Sequence, residues 1–189
     1  MLLSSSDFCK ALKKICWSYL FLHIHINIGT FDLLCDWIGI LFILSALDIL
    51  MREESSATLL RPFACALTLI HLADSVLSLA GFSLTEIALV QIITTVLWVY
   101  LQFQMLTNIA DMAKKREYPS TKRILQLRTG SCVLNVFSMS VRYIDFLQNE
   151  FLVIALIVSL LIIVVWTWAT LVSLRVYLKE NETKEETNA

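Results

Sequence analysis

A six-span threading puts fourteen of the fifteen lysines and arginines of this chain on one side of a membrane. That partition restricts the fold more than any motif does. Apolar runs recur at lengths able to cross about 30 Å of hydrocarbon, which takes roughly 20 helical residues each. The most extreme is FLVIALIVSLLIIVVWTWATLV at 151–172, with no charged residue. Hydrophobic residues make up 58% of the chain and the mean hydropathy is +0.73. Soluble domains sit near roughly 45–50% apolar. In lipid the backbone must satisfy its own hydrogen bonds, so such runs fold as helices.

The expected spans are 12–28, 34–51, 62–81, 84–110, 124–144 and 151–174. Lys10, Lys13 and Lys14 precede the first span, and Arg52 and Arg61 flank the second connection. Six more basic residues run from Lys114 to Arg128, and Arg175, Lys179 and Lys184 follow the last span. All of these fall inside by the positive-inside rule, and Arg142 alone falls outside. The fold class is therefore an all-α integral membrane bundle of six transmembrane helices in three hairpins, both termini cytoplasmic. Residues 1–178 form one transmembrane domain, and 179–189 form a polar tail expected to be disordered. The first span is the weakest, because His23, His25 and Asn27 lie near its outer end. If it lies in the interface, five spans remain and the N-terminus is not fixed. The N-terminal stretch lacks a secretory signal's order, so the first apolar run is expected to stay as a span.

Polar residues inside such spans are costly and often functional. Thr68, His71, Ser75 and Ser78 step by three or four and share one helical face, with Asp74 at its flank. Gln91, Thr95 and Gln102 form a second stripe through Trp98. Arg128, Ser131, Asn135, Ser138 and Arg142 form a third. The geometry turns spans three, four and five toward one another or toward a wet cleft. Neutral members of these stripes also serve as packing glue between membrane helices. Asp74 and Arg142 are harder to dismiss, since a charge at a helix centre costs about 2.5–3.5 kcal/mol on insertion scales. Asp74 lies about 12 residues, roughly 18 Å, from the inner end, and is expected to be deep. Arg142 lies near the outer end and can snorkel, or bend inward. The expected pairs are Asp74–Arg142 or Asp74–His71, either as packing ion pairs or as a site.

Other residues carry plainer expectations. Asp48 precedes Arg52 by four and suits a local ion pair. His23 and His25 point to different helix faces, which is poor metal geometry, and belong at the outer interface. Trp17, Trp37 and Tyr143 fit interfacial aromatic belts, while Trp166 and Trp168 lie deeper. The loop KKREYPSTKR is a topology determinant able to attract anionic lipid.

Catalytic arrangements fail one by one. No H-E-x-x-H or G-x-S-x-G occurs. His71 follows Cys65 by six residues, so the two face partly apart. Glu53-Glu54 lacks the arginine an intramembrane glutamate protease would place shortly after. The five cysteines form no C-x-x-C pair and have no zinc spacing with histidine. No enzyme, cofactor, metal or nucleic-acid partner is expected. With four glycines and two prolines, none breaking a span at mid-membrane, the helices should be continuous, unlike those of broken-helix transporters.

The stretch HINIGTFDLLCDWIGILFIL is similar to a signature of small uncharacterised bacterial polytopic membrane proteins, approximately IN-x-G-x-x-DLLPDWIGY at the first outer turn. Ile26, Asn27, Gly29, Asp32, Leu33, Leu34, Asp36, Trp37, Ile38 and Gly39 match. Cys35 stands in place of proline and Ile40 in place of tyrosine. The resemblance covers about a tenth of the chain. It implies a bacterial cytoplasmic membrane and no established activity. Physically, Gly29 permits a tight turn, Asp32 can cap span two, and Asp36 suits the positive end of its dipole.

Two functions follow as expectations. The first is a non-enzymatic protein binding or passing a small polar solute or cation between spans three, four and five. Asp74 is then the principal group, with His71, Gln91, Asn135 and Arg142 shaping the site. The second is a membrane interaction subunit for assembly, immunity or sensing, whose polar faces bind partner helices.

Overall fold

The computed structural model describes residues 4–23, 27–28, 31–32, 36–143 and 150–188. Six helices follow the apolar runs: α1 (Ser5–His23), α2 (Asp36–Leu50), α3 (Leu60–Ser78), α4 (Ala88–Lys115), α5 (Thr121–Tyr143) and α6 (Glu150–Asn188). Short 3-10 turns, Ser55–Leu59 and Leu84–Glu86, lead into α3 and α4. A two-residue antiparallel ladder, β1 (Asn27–Ile28) on β2 (Phe31–Asp32), pairs Asn27 with Asp32. It takes Asn27 and Ile28 out of the expected first span. Asp32 lies in that ladder and α2 starts at Asp36; a cap from the Asp32 side chain lies outside the described residues.

Helix ends fall where the backbone can leave the helix. Past α3, Gly81 adopts φ +78°, and Phe82 N–H closes back to the Leu77 carbonyl at 3.1 Å. Past α4, Glu117 adopts φ 56° and Tyr118 N–H closes to the Ala113 carbonyl at 3.0 Å. These closures satisfy last-turn carbonyls, and Pro119 then prevents continuation. Pro62 sits at the third residue of α3, within the first turn, where its missing N–H costs little.

Each helix packs on its sequence neighbours, and α6 returns to pack on α1, so the six form a closed ring. Contacts fix the directions. Lys14 Nζ bonds Ser45 Oγ while Phe21 stacks on Phe42, so α1 and α2 are antiparallel. Ser56 pairs with Asn108 while Phe63 meets Tyr100. Arg128 pairs with Thr107 while Cys132 reaches Val99. Cys9 Sγ donates to the Arg175 carbonyl across the closing seam. The result is an up-and-down bundle whose two ends differ. One end gathers the start of α1, the α2–α3 and α4–α5 connections and the last third of α6, and with them the basic residues. This basic end is clasped by Arg116, whose Nη2 and Nη1 donate to Glu53 at 2.7 and 2.9 Å. The guanidinium also stands 4.7 Å above the Phe8 ring.

Burial follows the same asymmetry. The core runs through Phe8–Tyr19, Ile40–Leu50, Ala57–Leu67, Leu101–Ala113 and Leu171–Leu178, most of it toward the basic end. Toward the opposite end the bundle wears its apolar residues outside: Leu69 is 66% exposed, Leu89 66%, Val133 62% and Phe151 81%. A continuous apolar exterior of this kind marks contact with lipid or another apolar surface. Among the described residues, three segments are long and apolar enough to cross a membrane: Ser55–Ser78, Ala88–Lys115 and Phe151–Lys184. The other helices differ for physical reasons. Three lysines interrupt α1, α2 has 15 residues, or roughly 22 Å at helical rise, and α5 carries the polar seam.

Two expectations are corrected here. The tail from 179 is helical through Asn188 rather than disordered. Its charges explain this: Glu180 precedes Lys184 by one helical turn, an order that supports helix, and Thr183 Oγ1 donates to the Lys179 carbonyl at 3.0 Å. Asp48 pairs across helices with Arg61, 3.8 Å away, rather than along α2 with Arg52. Both partners are more than half exposed, so the contact contributes little.

Candidate functional site

Most hydroxyls of the polar stripes bond their own helix. Thr68 donates to the Ala64 carbonyl, Ser75 to His71, Ser78 to Ser75 and Thr95 to Gln91. Such back-bonding makes a hydroxyl cheap inside a helix bundle. The charged and amide groups are the ones left to shape a site.

Several converge. His23 ends α1, Asp36 opens α2, His71 comes from α3, Thr94, Thr95 and Trp98 from α4, and Asn135 from α5. With Leu22 and Ile40 they line a cavity of about 210 Å³ in the half of the bundle away from the basic end. His71 Nδ1 lies 3.4 Å from Asp36 Oδ2, with side chains 18% and 28% exposed. His23 Nδ1 lies 2.9 Å from the Tyr19 carbonyl, and its ring stacks on Tyr19. A ring nitrogen facing a carbonyl must carry the proton, so Nε2 of neutral His23 is an acceptor. Asn135 Nδ2 donates to the Ser131 carbonyl at 2.8 Å. Thr94 Oγ1 is buried with no hydrogen-bond partner among the described residues, an unmet demand that a bound polar group would satisfy.

The layer beneath is shut. Gln102 Nε2 donates to Tyr19 Oη at 3.2 Å, and these residues are 3% and 1% exposed. Below them, the Arg128 guanidinium lies 4.2 Å from the Phe103 ring centroid and donates to Thr107. The cavity therefore has a closed floor toward the basic end. Its chemistry is one carboxylate, two imidazoles, hydroxyls, an amide and an indole, which suits a small cation or a polar solute. Among the described residues no group of three His, Cys, Asp or Glu side chains is placed to hold a metal.

No family model, curated protein or solved structure matches this chain. The site stands on its own geometry.

Of the five residues expected from sequence, the structure places His71 and Asn135 in the cavity. Gln91 lies one turn along α4 from Thr95, outside the lining. The side chain of Arg142 lies outside the described residues, and so does its pairing with Asp74. Asp74 is not deep. α3 ends at Ser78, one turn past Asp74, and Asp74 Oδ1 accepts from Leu84 N–H at 2.6 Å and Ser83 Oγ at 3.1 Å. It ties down the turn that opens α4. Counting from the expected inner end hid this, because the distance to the far end decides depth. Asp74→Ala is expected to cost about 1 kcal/mol of stability, as for a lost helix cap, which thermal unfolding measures.

Asp36, His23 and Thr94 were missed. Asp36 reads as a helix-dipole residue in sequence, and its place opposite His71 depends on α2 and α3 being antiparallel neighbours. The readable signal was distance from the helix end: His23 closes α1 as Asp36 opens α2, and antiparallel packing of the two helices brings these ends to one level.

Proposed function

We propose that this chain is a non-enzymatic integral membrane protein of a bacterial cytoplasmic membrane. It crosses the bilayer six times with its basic end and both termini in the cytoplasm, and its cavity binds a small polar solute or cation. Asp36 takes the role expected of Asp74, His71 stands against Asp36, and Asn135, Thr94 and Trp98 complete the site. The observation that carries the reading is the convergence of Asp36, His71, Thr94 and Asn135 from four helices on one cavity, under an apolar exterior. The three long apolar segments and the clustering of basic groups at one end support the orientation. The short α2 and the polar α5 fit a span when neighbours in the ring cover them.

Asp36→Asn tests this. Asparagine keeps the helix-start preference of aspartate but loses the charge. With the purified protein in proteoliposomes, binding or uptake of alkali cations and small alkylammonium ions should fall tenfold or more, at unchanged membrane abundance. Unchanged binding would overturn the reading.

The interaction-subunit reading has weaker support. Gln102 and Ser131 are buried and the stripe hydroxyls bond within the bundle, so a partner helix would meet mainly apolar side chains. Loss of abundance in Asp36→Asn, together with loss of a co-purifying membrane protein, would favour it.

A further inference from the structure

The seam that closes the ring, α1 against α6, carries a second cavity of about 210 Å³, lined by different residues. Its lining is graded along the helix axes. Lys13 and Arg175 lie toward the basic end, Trp17 and Trp168 come next, and Leu20 lies farther along. Lys13 and Leu20 are seven residues apart, as are Arg175 and Trp168, which spans roughly 10 Å of helix.

Neither Lys13 nor the Arg175 side chain makes an ion pair or hydrogen bond among the described residues. Arg175 Nε is in addition buried without a partner. Asp7, Glu53 and Glu54 at the basic end are engaged elsewhere, with Lys10, Arg116 and Lys115, and Glu182, which lies near Cys9 as Arg175 does, pairs with neither cation. Two like charges lining one cavity repel, and a buried guanidinium nitrogen without an acceptor is costly. Both costs vanish when an anion with several acceptor oxygens sits between them. The two indoles, 46% and 41% exposed, then occupy the level where Trp is favoured at a membrane interface. The aliphatic surface beyond suits an acyl chain.

We propose that this cavity binds the phosphate headgroup of an anionic phospholipid from the leaflet at the basic end. Lys13 and Arg175 hold the phosphate, and Trp17 and Trp168 flank the lipid backbone. Basic pockets between membrane helices on the cytoplasmic side are the expected setting for such headgroups. The inference rests on the membrane reading but is independent of the solute cavity.

The test is native mass spectrometry of the full chain in detergent. Phosphatidylglycerol and phosphatidylcholine with the same acyl chains are added. Phosphatidylglycerol should be retained selectively. Lys13→Gln should weaken it about fivefold and Lys13→Gln/Arg175→Gln about 30-fold, in line with the contribution of each basic side chain at an anionic surface. Lys114→Gln/Lys122→Gln, with the same loss of charge elsewhere at the basic end, should leave binding unchanged. Lys13 is exposed, so its single variant reads the site even if the double variant folds poorly. Equal retention of both lipids, or equal weakening by the control variant, would overturn the proposal. So would complete displacement by millimolar inorganic phosphate, which would mark a site for a soluble anion. A chain that stays soluble without detergent would instead sink the membrane reading itself.

Discussion

Replacing Glu53 with alanine is expected to lower the melting temperature of the detergent-solubilised protein by on the order of 10 °C. Glu53 and Arg116 form a two-pronged pair whose side chains are 2% and 10% exposed. Arg116 also donates to the Met112 carbonyl at 3.1 Å and covers Phe8. Removing one partner strands a buried charge, which costs about 3–5 kcal/mol. The neighbouring pair, Glu54 with Lys115, is the internal control. Lys115 is exposed, and its hydrogen bond to Glu54 raises its pKa above the ordinary lysine value. Its stabilisation is therefore full at neutral pH and is lost only as pH climbs through that raised value. It is worth at most about 1 kcal/mol. Glu54→Ala should thus shift the midpoint little. The apolar double variant Glu53→Met/Arg116→Met should recover most of the loss, since apolar pairs of similar volume replace buried ion pairs well. Equal effects of Glu53→Ala and Glu54→Ala would show that the clasp does not hold the basic end together.

That clasp joins the α2–α3 and α4–α5 connections, and its location explains what the sequence could reveal. Helix identity was legible because the apolar runs are bounded by glycine, proline or charge. The partition of basic residues was legible because it needs only counting along the chain. Ring closure was not. It depends on α1 packing on α6, as where Cys9 reaches the Arg175 carbonyl, and no local pattern encodes which apolar faces meet. The tail was misjudged for a related reason. Its composition reads as solvated coil, but Glu180 and Lys184 are spaced as helix partners and α6 enters already nucleated, so continuing it avoids the initiation cost.

The site was half legible. A stripe identifies the face of a helix, and His71 and Asn135 were found that way. It does not identify the level along the axis. Asp74 and His71 lie on nearly one face, yet Asp74 serves the turn to α4 while His71 meets Asp36. A residue's level is set by where the partner helix starts. Hydropathy does not say at which residue α2 starts.

Gly39→Val is expected to be the most damaging single substitution at the α1–α2 crossing, for stability and for solute binding together. A β-carbon at Gly39 would meet Leu22 Cγ at 2.7 Å and the Ser18 carbonyl oxygen at 3.2 Å. The leucine side chain can rotate away, but the carbonyl belongs to the α1 backbone. Alanine therefore forces a small adjustment, and valine, with two further methyl groups, forces the helices apart. Overpacking of this kind costs about 1–3 kcal/mol, and small residues are what let membrane helices approach so closely. The consequence reaches the cavity because of position. Gly39 lies one turn from Asp36, and Leu22 is adjacent to His23. Widening the crossing withdraws both Asp36 and His23 from His71 and Asn135 on the far side. Gly39→Val should thus weaken solute binding and lower the melting temperature together. Trimming the flexible neighbour in Gly39→Ala/Leu22→Ala should restore part of what Gly39→Ala loses, with a coupling of about 0.5–3 kcal/mol. Strict additivity of those two changes would mean that the crossing is looser than this geometry, and that something other than Gly39 sets the distance across the cavity.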